Sequence, residues 1–179
     1  MTVSTPNKVV GASVFAPAAP EQFYEAVRDV RGFPVWAPGV RRVEVFERPG
    51  EPGMVSEWEV SFLGFRRKVL SVLEEAERPE FLRWTYEGPI TGWGECRVRP
   101  QGNGALAEFR TEIVPEEPLL EGLMMTAPAR SAAQSQLKRS LARLGQLVCG
   151  DRSMVRVGPL MDLRQTRQRE EPEPLPRIA

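Results

Sequence analysis

Few side chains in this sequence are of a type that could carry out chemistry, because the chain contains no histidine. That absence excludes serine and cysteine catalysis that depends on a histidine base, and it excludes any histidine-ligated metal site. The two cysteines, Cys96 and Cys149, are too few for a zinc cluster. The sequence does not decide whether they form a disulfide bond with each other. With no histidine to activate it, Cys96 is not expected to act as a nucleophile. Any catalysis would use carboxylates, Arg, Tyr, Ser, Thr or an ordered water, and we expect no metal and no cofactor.

Arg67 is the first of two candidate catalytic residues. A two-residue turn at positions 63–64 would pair Phe62 with Phe65, and cross-strand partners point to the same side of a sheet. Arg67 then faces the concave side, where a buried guanidinium needs an anionic partner. A ligand carboxylate, phenolate or enolate could provide that partner. The alternative is that residues 66–68 form a solvated basic stretch.

Tyr86, the second candidate, combines an apolar ring with a hydrogen-bond donor that could reach a ligand carbonyl, and Trp58 has the same combination. Core filling is the alternative for both. Trp36 either gates the mouth of a cavity or packs a short helix, and Gly92 and Gly94 either leave volume for a cavity or allow a bend. The candidate ligand-binding residues are those that alternation or helical spacing turns inward: Trp36, Trp58, Phe62, Ser71, Trp84, Phe109, Met124 and Gln134.

The elements that position these side chains follow one another in a simple order. A β-branched strand at residues 8–16 precedes a helix at 20–30 and a short helical turn at 33–36. Six strands with alternating hydrophobicity follow between residues 40 and 114, separated by turn signals. The period then becomes helical over residues 118–149, where Pro128 should kink or divide the helix.

This order predicts an α+β fold, a curved seven-stranded antiparallel sheet wrapped around a long C-terminal helix, with two short helices after strand one. A helix lying across such a sheet leaves a space that can hold a ligand. The predicted ligand-binding domain spans residues 1–149. Residues 150–179 are predicted to be a charged, Pro-rich tail with one short apolar contact at 155–161 and weak order beyond Asp162.

Four segments carry a resemblance to a known family: residues 14–18 continuing into 22–27, residues 33–40, residues 77–82, and residues 141–144. In this order they resemble the START-like, or SRPBCC, superfamily of polyketide cyclases, dehydrases and lipid-transfer proteins. The resemblance covers residues 8–149 and implies the helix-grip fold. It also implies an internal cavity for a small molecule, and coenzyme-Q-binding proteins are another branch of the superfamily.

We therefore expect the chain to bind a small hydrophobic or amphipathic molecule, which is polyketide-, lipid- or quinone-like. The first alternative is a polyketide cyclase or dehydrase (aromatase), in which Arg67 stabilises an enolate and Tyr86 donates or relays a proton. The second is a protein-interaction module that uses the tail or a strip formed by Leu70 and Val72.

Charge and hydropathy limit the classes of partner that we expect for this chain. The 179 residues include 24 Lys+Arg and 24 Asp+Glu, and this zero net charge argues against a nucleic-acid partner. No apolar run reaches the roughly 18 residues of a membrane span, and the N-terminus lacks a signal-peptide core. We expect a cytoplasmic protein whose partner is a small hydrophobic molecule. The sequence does not decide whether the chain forms a homodimer.

Overall fold

Eight antiparallel strands form one sheet in the computed structural model, which describes residues 8–160. Their order in the sheet is β2-β3-β4-β5-β6-β7-β1-β8. The strands are β1 (Val9–Ala16), β2 (Val40–Glu47), β3 (Val55–Phe62), β4 (Phe65–Glu77), β5 (Phe81–Glu87), β6 (Ile90–Gln101), β7 (Gly104–Pro115) and β8 (Arg156–Gly158).

Four α-helices and two 3-10 turns complete the described part of the chain. The helices are α1 (Pro20–Arg28), α2 (Phe33–Trp36), α3 (Pro118–Met124) and α4 (Ala127–Cys149), and the 3-10 turns are Val30–Gly32 and Arg152–Met154. The long α4 packs against the sheet, with Leu141 and Leu144 fully buried in the main core. This arrangement confirms the predicted α+β helix-grip fold with short helices after strand one.

The C-terminal helical stretch is divided at the place where Pro128 predicted a kink or a break. Pro128 lies in the first turn of α4, where a missing N–H costs no hydrogen bond. Thr126 is the N-cap residue of α4, and its hydroxyl accepts a hydrogen bond from the Ala129 N–H at 3.4 Å. The helix ends at Gly150, whose φ of 79° is the left-handed conformation that closes many helices.

The sheet has one strand more than the seven predicted, because residues beyond 149 fold back onto the domain. β8 pairs antiparallel with β1 over Ser13–Phe15 of that strand, and the Ser13 hydroxyl donates to the Pro159 carbonyl at 2.8 Å. Val155 and Val157 pack against the main core. Residues 151–158 of the predicted tail therefore contact the domain, in line with the short apolar contact expected near Val155. The weak order predicted beyond Asp162 concerns residues outside the described range.

The hairpin between β3 and β4 has the register that the sequence predicts. Phe62 pairs with Phe65 across a two-residue turn in which Leu63 and Gly64 have φ values of 48° and 83°. Positive φ at both central positions is typical of a type I′ turn, whose twist suits a hairpin. The register directs Val69 into the core, where it is 3% exposed, and it leaves Leu70 39% exposed.

Two glycines on β6 give the sheet its shape around a buried tryptophan. A Cβ atom at Gly94 would lie only 2.5 Å from the indole of Trp84, so Gly94 makes the room that Trp84 fills. Gly92 has a φ of 133°, and a side chain there would collide with the Glu112 carbonyl. Neither of these two glycines leaves empty volume for a cavity. Gly94 accommodates a ring, and Gly92 allows a backbone bend.

We predict that Gly94→Ala destabilises the fold, because the new methyl group must displace the Trp84 indole from a buried site. Overpacking of this kind costs about 1–3 kcal/mol in the free energy of unfolding. Gly122→Ala is the matched control, since a Cβ there meets nothing within 4 Å in helix α3. That control should be neutral or stabilising. Urea unfolding of both variants checks the prediction, and equal stabilities would contradict it.

Candidate functional site

A cavity of about 260 Å³ lies between the concave face of the sheet and helices α3 and α4. Most of its lining is apolar, and polar side chains contribute a minor part. This volume lies near the lower end of the roughly 300–1,000 Å³ that is typical of small-molecule sites, so the cavity suits a ring system or a short alkyl chain. The apolar lining includes Val10, Trp58, Val60, Phe62, Phe65, Val69, Ile90, Ile113, Leu120, Met124, Met125, Ala129, Ala133 and Leu137.

Five of the ten candidate site residues line this cavity: Trp58, Phe62, Arg67, Tyr86 and Met124. They come from β3, β4, β5 and α3, and the pairing of Phe62 with Phe65 brings the first three together. The sequence-based facing of the β3–β4 hairpin therefore locates one wall of the cavity. That these residues bind a ligand remains a prediction.

Three aromatic candidates lie in the core beside the cavity, outside its lining. Trp36 packs on Phe33, with ring centroids 4.3 Å apart, and lies 6.2 Å from the Phe109 ring. Trp84 meets Phe33 edge-on at 6.3 Å and fills the space over Gly94. These rings form an aromatic layer that closes one end of the space under the sheet. The sequence also predicts that Trp58, Tyr86 and Phe109 point into one shared space, but Phe109 lies outside the cavity lining.

The two polar candidates that lie outside the cavity are Gln134, which is hydrogen-bonded to the backbone, and Ser71, which is buried in the core. The Gln134 amide donates to the Gly11 carbonyl at 2.7 Å, which ties α4 to β1. Ser71 is 3% exposed beneath the aromatic layer, and its carbonyl accepts from the Ser56 hydroxyl at 3.5 Å. Ser56 also accepts the Trp58 indole N–H at 2.8 Å. Trp58 consequently presents its ring to the cavity, while its N–H group is used inside the protein.

Tyr86 lies in the cavity wall with its hydroxyl already in a hydrogen-bond network. The Trp84 indole N–H donates to it at 2.6 Å, and the Thr111 hydroxyl is a second hydrogen-bonding neighbour. Burial raises the pKa of Tyr86, so the phenol stays protonated at neutral pH. A neutral hydroxyl can donate to a ligand carbonyl, provided that it exchanges Thr111 for the ligand.

Arg67 reaches the cavity near α3 and pairs there with a carboxylate of the protein. Its guanidinium lies 3.0 Å from Glu117, the N-cap residue of α3, and donates to the Arg66 carbonyl at 2.9 Å. The side chain of Arg67 is 33% exposed. It is neither fully buried nor part of a merely solvated stretch. The sequence also predicts Arg67 as the single strong cation at the cavity, but Lys8 and Arg130 line it as well.

Helix α3 covers one side of the cavity and is attached to the rest of the chain by two ion pairs. One is Arg67–Glu117, and the other is Lys8–Glu121 at 2.8 Å. The hydrogen bond with Glu121 raises the pKa of Lys8, so this ammonium remains charged. Exposed ion pairs of this kind contribute little and are screened by salt. Displacement of α3 would therefore cost little electrostatic energy and would enlarge the cavity.

Sequence reasoning missed the small residues of α4 that create the empty volume. Ala129 and Ala133 face the sheet one turn apart, where larger side chains would fill the space. Their spacing belongs to the apolar stripe of the helix, and their small size was the available signal. Met125, which the sequence suggests together with Met124 as an adaptable apolar lining, also lines the cavity.

Other kinds of site find no support in residues 8–160. These residues hold no group of three or more His, Cys, Asp and Glu that could ligate a metal ion. No helix in the same range is long and apolar enough to cross a membrane. Both cysteines are free, so the disulfide left open between them is not formed.

The chain belongs to the family described as polyketide cyclase / dehydrase and lipid transport, whose sequence model matches residues 8–148. The match confirms the resemblance drawn from the ordered sequence segments. No curated protein matches the chain in sequence.

Solved structures share the fold at low sequence identity. The protein TTHA0849 from Thermus thermophilus is 24% identical with a TM-score of 0.67, over 78% of this chain and 96% of that one. A START superfamily protein from Mycobacterium smegmatis is 16% identical with a TM-score of 0.65, over the same shares. Major latex-like protein 151 from Panax ginseng is 11% identical with a TM-score of 0.61, again over 78% and 96%. These similarities establish the fold alone.

We predict that the two thiols differ sharply in reactivity. Burial raises the pKa of the Cys96 thiol far above its ordinary value, and the nearby Glu95 and Glu108 carboxylates raise it further. Since the thiolate is the reactive form, folded protein at pH about 8 should be alkylated by iodoacetamide at the half-buried Cys149 and not at Cys96. Mass spectrometry of the peptides checks this, with guanidinium-unfolded protein as the control in which both react. Equal labelling in the folded protein would contradict the prediction.

Proposed function

We propose that this protein binds a small hydrophobic or amphipathic molecule in the cavity between the sheet and helices α3 and α4. The observation that carries the proposal is an apolar space of about 260 Å³ beside a core that is closely packed with aliphatic and aromatic side chains. An apolar wall with a few polar groups is typical of small-molecule sites. The family description, which includes lipid transport, supports the same class of ligand.

The polar groups sit where they would orient such a molecule. Tyr86 and Thr111 offer hydroxyls in the wall, while Arg67, Lys8 and Arg130 supply cations. A ligand with an apolar body and one polar end satisfies both parts of the lining. A polyketide-, lipid- or quinone-like compound has this character.

We predict that filling the cavity weakens binding while leaving the fold intact. Ala133→Phe places a ring into the empty volume, where a bound ligand would be overpacked by about 1–3 kcal/mol, so affinity falls by roughly tenfold or more. Ser135→Phe is the matched control, because it adds the same ring at an exposed position of α4. The change in tryptophan fluorescence as decanol is added measures affinity, with Trp58 in the cavity wall as the reporter. Equal affinity of the Ala133 and Ser135 variants would exclude this cavity as the site.

A second candidate function is cyclisation or dehydration of a polyketide, favoured by the presence of Arg67 and Tyr86 in one cavity. A water molecule would take the proton from the carbon between two carbonyls, and Arg67 would stabilise the enolate that forms. The enolate carbon would then bond to a second carbonyl carbon, whose oxygen takes a proton from Tyr86, and Tyr86 would regain a proton from that water. Both groups have protein partners, Glu117 and Trp84, and both would have to turn toward the substrate. For that reason this function ranks behind binding.

Catalysis predicts that certain substitutions lower kcat, and binding alone makes no such prediction. With a poly-β-ketone thioester as substrate, Arg67→Met should lower kcat by about tenfold to a hundredfold, since charge-assisted hydrogen bonds contribute about 1.5–3 kcal/mol. Tyr86→Phe should also lower kcat while retaining the ring. Arg31→Met is the control, because that arginine lies on the 3-10 turn after α1 and outside the cavity lining. If the product distribution equals that of the spontaneous reaction, the cyclase hypothesis is wrong and the binding proposal stands.

A further inference from the structure

A second, polar cleft of about 370 Å³ opens beside the apolar cavity. Arg41 of β2, Arg66 at the start of β4, and Arg139 and Arg143 of α4 line it. The two arginines of α4 are four residues apart and so share one face of the helix. Guanidinium groups from three elements that are distant in sequence thus converge on one space.

No carboxylate compensates these charges within residues 8–160. None of the residues that line the cleft is acidic, and none of the four arginines has an ion-pair partner in that range. Other surface arginines differ, since Arg28 pairs with Glu25. Four like charges around a cleft raise the local positive potential and attract an anion.

The cleft lies next to the apolar cavity and shares part of its wall. Ser61, Phe62 and Gln136 line both spaces and form the boundary between them. Gln136 lies directly against Gly39, where an added Cβ would overlap its amide. A ligand that displaces the Gln136 side chain would reach from the cavity into the cleft.

We propose that this arginine cleft binds the phosphate group of an amphipathic ligand whose apolar part occupies the cavity. The proposal rests on the proposed function and specifies the polar end of the ligand. A guanidinium fork matches phosphate oxygens in pairs, and a phosphate offers more acceptor oxygens to converging arginines than a carboxylate does. The concave shape and the wall shared with the cavity favour one discrete headgroup over an extended anionic surface.

The test compares decyl phosphate with decanol, which share a chain and differ in charge, by isothermal titration calorimetry. The variant is the double substitution Arg139→Gln and Arg143→Gln, and the control is Lys138→Gln with Arg152→Gln, which removes the same charge from exposed positions outside both spaces. Because all four positions are exposed, circular dichroism should show equal folding.

Wild-type protein should bind decyl phosphate more tightly than decanol. The Arg139 and Arg143 double variant should lose roughly tenfold in affinity for decyl phosphate at low salt and keep its affinity for decanol. The loss should shrink at high salt because exposed charges are screened. The Lys138 and Arg152 control should behave like wild type.

The contrary outcomes separate the two proposals. If decanol binds but the Arg139 and Arg143 variant keeps its full affinity for decyl phosphate, the headgroup site is wrong and the cavity stands. If inorganic phosphate binds as tightly as decyl phosphate, the cleft holds a free anion and the link to the cavity is wrong. If the arginine dependence appears only with phosphatidylglycerol vesicles, the cleft is a membrane contact and the headgroup proposal falls. If neither decyl compound binds, the proposed function and this inference fail together.

Discussion

The register of the β3–β4 hairpin is the constraint on which both the cavity and the cleft depend. Because side chains alternate along a strand, a shift by one residue would exchange the two faces of β4. The tight turn at Leu63 and Gly64 pairs Phe62 with Phe65 and so fixes which arginine faces which space. Arg67 then lines the apolar cavity, whereas its neighbour Arg66 lines the polar cleft.

The empty volume arises from a contrast in side-chain size along the space between sheet and helix. At one end, Phe33 contacts Trp36, Trp58 and Trp84 in tilted and edge-on geometries, and the Trp84 ring lies over Gly94. At the other end α4 presents small residues, and the short helix α3 supplies flexible methionines in place of rings. The same fold therefore has a rigid aromatic core and an adaptable apolar site side by side.

The fold was largely predictable from the sequence, and the site was predictable only in part. Alternation along β3 and β4 reveals the face that Arg67 shares with Trp58, since strand geometry is local. It does not reveal that Trp84 fills the space above Gly94, because the two residues lie on different strands. Strand β8 was missed because three residues carry too little pattern.

The arginine cleft shows a second limit of sequence reasoning. Its residues are spread over β2, β4 and α4, and each alone has the pattern of a solvated surface charge. Their convergence follows from how α4 crosses the sheet, which depends on long-range packing. The sequence does not reveal which charged residues form ion pairs for the same reason, and the pair of Arg67 and Glu117 is an example.

Nuclear Overhauser effects between a bound ligand and the methyl groups of the protein would locate the ligand directly. With decanol as the ligand, we expect contacts from its alkyl chain to Met124, Met125, Ala129 and Ala133, which line the cavity. Leu119, 83% exposed on α3, should show none. Binding of decanol with contacts confined to Leu119 and other exposed side chains would contradict the claim that the ligand lies between the sheet and the helices.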